Sequence, residues 1–278
     1  MPLPIAPDSL WLEVEGSLAV SADLDPQDFP DWERLLTPEN DPRTWLHRER
    51  QRINDCQANA ATTGNEVLER RLKGKSGEQA RMFVYQWSEV ADGRLGADAG
   101  SSIQSGIRVL TNQGAPLEAE YPYSQYTRSR RQLDGWTTEA VQRSAAGRKI
   151  AGAAVAPSFA AARVHGALGN PIHWGTFWGL SFRTETIAPG VTARVCRRYR
   201  RAHGDAGHAT EVVWPIKTPA GEWLLAVANS HDDGFFYVSE EAYEEMRDRT
   251  YTPYGAYVLL GHQEPHRQYE GQFSAMGW

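Results

Sequence analysis

Small and apolar residues recur at Ala60, Gly64, Val67, Leu68 and Leu72, the spacing of one helical face. The pattern predicts a helix that opens at Cys56, capped by a side-chain oxygen of Asn54 or Asp55. After a turn at 73–76, residues 78–90 form a second predicted helix with Met82, Phe83, Tyr85 and Trp87 as its bulk. A loop from Asp92-Gly93 through Asp98-Ala99-Gly100 leads to Ser101 or Ser102, either of which caps a third helix that buries Ile103, Ile107, Val109 and Leu110. Gly114 ends that helix, and Pro116 prevents its continuation. Beyond residue 150 the period shortens. Segments 155–157, 171–182, 191–199, 208–216, 222–228, 234–238 and 254–260 read as strands bounded by Gly, Pro and Asp clusters, with one helix at 158–168. Between the halves, 127–149 is polar and basic (Arg128, Arg130, Arg131, Arg143, Arg148); it reads as a solvated connection or as a patch for an anionic partner.

The expected class is therefore α+β. Residues 1–43 form an N-terminal arm, 44–150 a helical lobe, 151–262 a β lobe and 263–278 a polar tail. With 278 residues and 41% hydrophobic content, the chain has enough apolar surface for one large core or two lobes sharing a cleft. A net charge of −6 argues against a general nucleic-acid binder. Two cysteines, Cys56 and Cys196, make no disulfide framework. No apolar run is long enough to span a membrane, and the start lacks the features of a secretory signal. Trp11, Trp32 and Trp278 lie in the arms, where they anchor those arms on this chain or on a neighbour. The arginines around Cys196 (Arg194, Arg197, Arg198, Arg200, Arg201) mark an exposed hairpin rather than a reactive thiol.

Candidate chemistry starts at Cys56, because the free N–H groups and partial positive charge of a helix start favour a thiolate. Read alone, Cys56 is equally a small buried residue. Of eight histidines, His208 stands at the start of a predicted strand whose neighbour ends in Asn229. A hairpin of those two strands puts His208 beside Asn229, giving a nucleophile, a base and an amide that orients the imidazole. His203, Asp205 and His208 also have metal-ligand spacing, without cysteines nearby to complete a site.

At these residues the chain resembles the papain-like cysteine peptidases, and the resemblance runs from about residue 51 to 260. Cys56-Gln57-Ala58-Asn59-Ala60 is similar to the form seen in bacterial and phage members, and Gln51 lies in the neighbourhood of the family's oxyanion-hole glutamine. Asp98-Ala99-Gly100-Ser101-Ser102 resembles the cleft-lining loop, Tyr121-Pro122-Tyr123 the following segment, Gly169-Asn170-Pro171-Ile172 the start of a strand, Gly207-His208-Ala209 the histidine motif and Asn229-Ser230 the asparagine motif. The separations of 152 and 173 residues from Cys56 to His208 and Asn229 exceed the family's usual range of about 130–150. The resemblance implies two lobes, one helical and one an antiparallel β-barrel-like lobe, with the active site in the cleft between them. It implies peptide-bond hydrolysis through Cys56, His208 and Asn229 and a thioester acyl-enzyme, with Gln51 at the oxyanion and with Asp98, Gly100, Ser101 and Ser102 lining the substrate cleft. No metal and no cofactor are implied; the partner is a protein or peptide substrate.

Three departures accompany the match. Gln51 is one residue closer to the cysteine than usual, with Arg52, Ile53 and Asn54 where glycines stand in the family. Asp55 raises the thiol pKa where its carboxylate points that way. His231 replaces the tryptophan that shields the Asn–His pair, leaving that hydrogen bond wetter and weaker. The lack of cysteines for the secreted members' disulfides, and of length for their propeptide, fits a cytoplasmic or virion-associated protein. Two rival readings share these residues. One is a catalytically weak or inactive structural protein, such as a phage virion or assembly component, whose arms contact neighbours or form a homo-oligomer. The other is a peptidoglycan endopeptidase, against which the long Cys-to-His separation and Tyr121-Pro122-Tyr123 count.

Overall fold

The computed structural model describes residues 42–44, 46, 50–156, 158–178, 180–200, 206–231, 234–247 and 255–262. Most of the arm at 1–43, the tail at 263–278, the tryptophans at 11, 32 and 278, and His203 and Asp205 lie outside these residues.

The first helix, α1 (Cys56–Lys73), is buried on nearly every side: all thirteen residues from Gln57 to Glu69 are covered. Its apolar stripe alone does not account for this. Several polar residues are also paired, with Asn65 Nδ2 donating to Gln79 Oε1 at 2.9 Å and to the Arg148 carbonyl at 2.8 Å, and Glu66 Oε1 accepting from the Gln79 N–H at 2.7 Å. Arg148 Nε donates to Glu69 at 3.1 Å. Buried polar groups with partners cost little compared with unpaired ones, so α1 becomes the central helix of the molecule.

Helices α2 (Arg81–Ala91) and α3 (Ile103–Asn112) pack beside it. Ser102 caps α3 by accepting from the Ser105 N–H. The helical core gathers Met82, Phe83, Leu110, Tyr121 and Leu133, with the rings of Phe83 and Tyr121 edge to face at 5.5 Å. The segment at 127–149 is not a plain connection. It holds two short helices, α4 (Arg130–Trp136) and α5 (Glu139–Ala146), capped by Ser129 and Thr138 and anchored by Leu133, Val141 and Ala145. Helices of about two turns carry too few apolar positions to show a stripe. Their arginines meet carboxylates: Arg130 pairs with Asp134 at 2.8 Å and Arg143 with Glu139.

The second half is a single eight-stranded sheet: β1 (Ile150–Val155), β2 (Ile172–Phe177), β3 (Leu180–Ala188), β4 (Val191–Tyr199), β5 (Gly207–Lys217), β6 (Trp223–Ala228), β7 (Phe236–Ser239) and β8 (Ala256–His262), in the order β1-β8-β2-β5-β6-β7-β4-β3. All neighbouring pairs are antiparallel except β4 and β7. Helix α6 (Phe159–Ala167) follows β1, and α7 (Glu240–Arg247) follows β7. Two cores form in this half. One contains Trp174, Val212, Phe236 and Tyr243, and the other Val195, Val213, Leu224 and Tyr237, to which α1 contributes Val67.

Several sequence expectations shift. The stretch at 171–182 divides between β2 and β3, the strand expected at 155–157 runs instead over β1, and α7 is added, its glutamates masking the buried Ala242, Tyr243 and Met246. Cys196 is buried within β4 rather than displayed on an exposed hairpin. Its thiol donates to the Arg198 carbonyl at 3.3 Å, and burial pushes its pKa up to about 11. The surrounding arginines meet acids, Arg197 on Glu185 and Glu222, and Arg198 on Glu241 and Glu245.

Gly114 tests the end of α3. Its φ is +81°, its N–H reaches the Val109 carbonyl at 3.0 Å, and a Cβ there would lie 1.9 Å from the Ala145 carbonyl oxygen. A left-handed alanine costs about 1–2 kcal/mol and overpacking about 1–3. Gly114→Ala is therefore expected to destabilise the protein by about 2–5 kcal/mol, read from the midpoint of urea unfolding. An unchanged midpoint contradicts this account of the turn.

Candidate active site

The nucleophile candidate is placed by how closely α1 lies on β5. A Cβ at Gly64 would sit 2.3 Å from Glu211 Oε1 on β5 and 2.8 Å from Leu259 Cδ1 on β8, so a larger residue would have to displace both side chains from these positions. At the N-terminal end of the same helix, the Cys56 thiol faces the backbone N–H of Ala209, the residue after His208, together with the N–H groups of Gln57 and of Cys56 itself. These donors favour the thiolate. Burial is the larger influence and pushes the thiol pKa up, and Asp55 adds to the rise.

His208 and Asn229 come together as the sequence expects. Nε2 of His208 lies 2.8 Å from Asn229 Oδ1, and the His231 backbone N–H also donates to that oxygen at 3.3 Å. A backbone N–H only donates, so this contact identifies the atom as the amide oxygen. An amide oxygen only accepts, so Nε2 carries the ring hydrogen and Nδ1 keeps a free lone pair. Burial, reinforced by His231, pushes the His208 pKa down to about 3, against a smaller upward pull from Asn229.

The pair is not wetter for lack of the motif's tryptophan. His208 and Asn229 are each only 6% exposed. His231 stacks on the His208 ring at 3.9 Å and 26°. Trp178, just past β2, presents its indole edge to face against His208 at 4.5 Å and against His231 at 5.1 Å. A tryptophan from the β2–β3 connection therefore does the shielding. Sequence reasoning missed it because no local motif links position 178 to position 208; only the pairing of Phe177 with Gly207 across β2 and β5 does so.

Residues ahead of Cys56 form a clamped turn. Gln51 is tied to the asparagine turn: its N–H donates to the Ser230 carbonyl at 3.0 Å, its Oε1 accepts from the Ser230 hydroxyl at 2.6 Å, and its Nε2 donates to the Ile53 carbonyl at 3.3 Å. The carboxamide assigned from sequence to the oxyanion is here a strut between the segment ahead of Cys56 and the turn after Asn229. Asp98 holds the same turn from the other side, accepting from the Asn54 N–H at 2.9 Å and from Tyr85 at 3.1 Å, while Asn54 Nδ2 donates to the Asp98 carbonyl at 2.6 Å. These bonds hold Asp98 at φ +48°, a conformation costly for a non-glycine residue. Gly100 packs near the Asn54 carbonyl, the Ser101 hydroxyl meets the Gln57 carboxamide at 2.7 Å, and Ser102 bonds to Asp92 as it caps α3. The polar groups of the expected cleft residues are thus engaged in holding the loop.

Asp55 does not cap α1. Its carboxyl is fully buried, and neither oxygen has a hydrogen bond of good geometry. Tyr123 and Arg81 lie near enough to draw its pKa down, but burial wins and raises it to about 6. No group of three or more metal-ligating side chains occurs among the described residues. No helix among them is long and apolar enough to cross a membrane.

Two measurements follow from this geometry. Asp55 has a folded pKa above its ordinary 3.8, so its contribution to stability is full below that value and is lost as pH rises through about 6. Asp55→Asn is expected to raise the melting temperature by an amount that grows between pH 4 and 6 and then levels, and to speed alkylation of Cys56 at pH 7. A gain independent of pH contradicts the ionisation. Trp178→Ala removes part of what desolvates His208, so the imidazole pKa rises from about 3 toward its ordinary 6.5, observable by proton NMR titration.

No protein-family model and no curated protein sequence matches the chain. Solved structures do. Xylellain, a cysteine protease from Xylella fastidiosa, superposes with a TM-score of 0.56 at 20% identity, over 86% of this chain and 93% of that one. The ragweed pollen allergen Amb a 11, a cysteine protease in its proform, gives 0.56 at 14% identity over 87% and 68%. Bromelain from Ananas comosus, in complex with the E64 inhibitor, gives 0.55 at 13% identity over 79% and 95%. With the helix that opens at Cys56 laid against a mainly antiparallel sheet, the chain has the papain-like fold.

Proposed function

We propose that the protein is a cysteine peptidase that hydrolyses peptide bonds through Cys56, His208 and Asn229. The observation that carries this reading is the buried 2.8 Å bond from His208 Nε2 to Asn229 Oδ1, beside a helix-opening cysteine whose thiol faces the next residue of the same strand. Asn229 fixes the tautomer in which Nδ1 is the base. Nδ1 takes the thiol proton as sulfur bonds to the substrate carbonyl carbon, and the carbonyl electron pair moves to oxygen. The Cys56 N–H at the helix start is the oxyanion donor that the geometry supports; removing one such donor costs about 10²–10³ in rate. His208 returns its proton to the departing amine as the C–N bond breaks, leaving a thioester. Water, deprotonated by His208, then attacks the thioester, releasing the acid and restoring the thiol.

A second reading, a papain-like scaffold without turnover, is favoured by one observation: the Gln51 carboxamide is bonded to Ser230 and Ile53. The two readings separate on iodoacetamide labelling of Cys56 across pH 5–9, in Cys196→Ala protein to isolate the site, together with hydrolysis of a mixed peptide library. For a peptidase, His208→Ala slows labelling at pH 6.5 by about 10²-fold or more, within the usual worth of a general base, and Cys56→Ala abolishes hydrolysis. Labelling that rises only near the free-thiol value of about 8.5 and ignores His208, with no hydrolysis, selects the scaffold.

A further inference from the structure

Behind Cys56 runs a buried polar chain that the proposed reaction does not use. His173 on β2 and Glu211 on β5 are direct register partners, both fully buried, with His173 Nδ1 2.9 Å from Glu211 Oε2. The other ring nitrogen lies 3.4 Å from the carboxamide of Gln57, whose far end meets the Ser101 hydroxyl at 2.7 Å. Gln57 is the second residue of α1, and its backbone N–H is among the groups facing the Cys56 thiol. Two helices carry glycine where the chain passes. Beyond the contact at Gly64, a Cβ at Gly106 of α3 would lie 1.4 Å from Gln57 Nε2. Glycine inside a helix costs about 0.5–1 kcal/mol relative to alanine, and here it makes room for polar atoms.

The chain is neutral throughout. From α1, Glu211 faces Gly64; from β2, His173; its register partner on β6 is Ala228; and Leu259 of β8 lies beside the same glycine. Tyr257, the β8 partner of His173, accepts from Gln104 at 3.0 Å. Glu211 Oε1 has no hydrogen-bond partner. A carboxylate there would be a buried charge without compensation, and burial alone pushes Glu211 well up and His173 down to about 3. The neutral acid donates its O–H to Nδ1. Nε2 then carries the ring hydrogen, and Gln57 receives it on its amide oxygen, with its NH₂ turned to Ser101; carboxamide oxygen and nitrogen fill nearly the same space.

We propose that Glu211, His173 and Gln57 are positioning residues for Cys56: a chain of neutral hydrogen bonds, anchored in the sheet, that fixes the first turn of α1 and the N–H groups facing the thiol. This rests on the reading of Cys56 as the nucleophile.

The test uses the full chain and the pH profile of Cys56 alkylation by iodoacetamide, which a merely structural role would not move. Gln57→Leu and Glu211→Leu keep volume and remove hydrogen bonds. Each is expected to shift the profile up by about one pH unit, a tenfold slower reaction on its rising limb, and Glu211→Gln, which still donates to Nδ1, restores the wild-type profile. The melting temperature of Glu211→Gln exceeds that of wild type by an amount that grows as pH rises above 4.5, because the raised carboxyl pKa makes wild type lose stability in that direction. Should a leucine variant not fold, nitrogen NMR of histidine-labelled wild type decides: His173 keeps its hydrogen on Nε2 and does not titrate between pH 5 and 8. Leucine-variant profiles that superimpose on wild type, or a His173 ring with a bare Nε2, overturn the proposal. Slow wild-type labelling that ignores His208 defeats the peptidase reading separately, since the shift between variants reports the thiol and not turnover.

Discussion

The closeness of α1 to β5 is the constraint on which the rest of the molecule depends. Without a side chain at Gly64, the helix approaches until its neighbouring atoms are Glu211 and Leu259. That approach fixes where the helix begins as well as where it packs, and it begins at Cys56, against the Ala209 N–H. His208 precedes Ala209 on the same strand, and Asn229 immediately follows β6, which pairs with β5. One helix–strand contact and one strand pairing therefore bring three distant sequence positions together. The struts from Gln51 to Ser230 and from Asn54 to Asp98 then hold the chain just ahead of Cys56.

The candidate residues are legible because they lie at the edges of elements. Cys56 opens a helix, His208 is the second residue of β5 and Asn229 directly follows β6, so each sits beside turn residues that leave a short recognisable pattern. The support was not legible, for the opposite reason. His173 and Glu211 lie inside strands and meet only through β2–β5 register, which flips with a slip of one residue. Trp178 reaches His208 by the same pairing. Gln51 shows the limit of position as a guide: its place before the cysteine fits an oxyanion donor, yet a turn shortened by one residue and rid of glycines sends its carboxamide to Ser230.

Polar burial explains the remaining mismatch between sequence and fold. The apolar stripe of α1 covers one face, yet the helix is enclosed because Asn65, Glu66 and Glu69 find Gln79, Arg148 and Lys73. Those partners belong to loops and to the end of the helix itself, and none is apolar, so the helix reads as half exposed in one dimension. The hidden helices α4 and α5 follow the same rule, each anchored by one or two apolar residues and capped by a serine or threonine.

Around Cys56, burial drives five groups toward their uncharged forms. Asp55 and Glu211 are pushed up, His208 and His173 are pushed down, and the thiol is pushed up with them. Below about pH 6, none of these five groups carries a charge that would compete with the one created by attack in the proposed reaction. The groups left to meet that charge are fixed dipoles: the N–H of Cys56 and of Gln57 at the helix start, and that of Ala209 on β5. Dipoles held by the backbone need no reorganisation when sulfur becomes negative, and in a water-poor site they act at low effective dielectric. The ionised form of Asp55, above about pH 6, is the one element working against this arrangement, and it sits one residue from the sulfur it opposes.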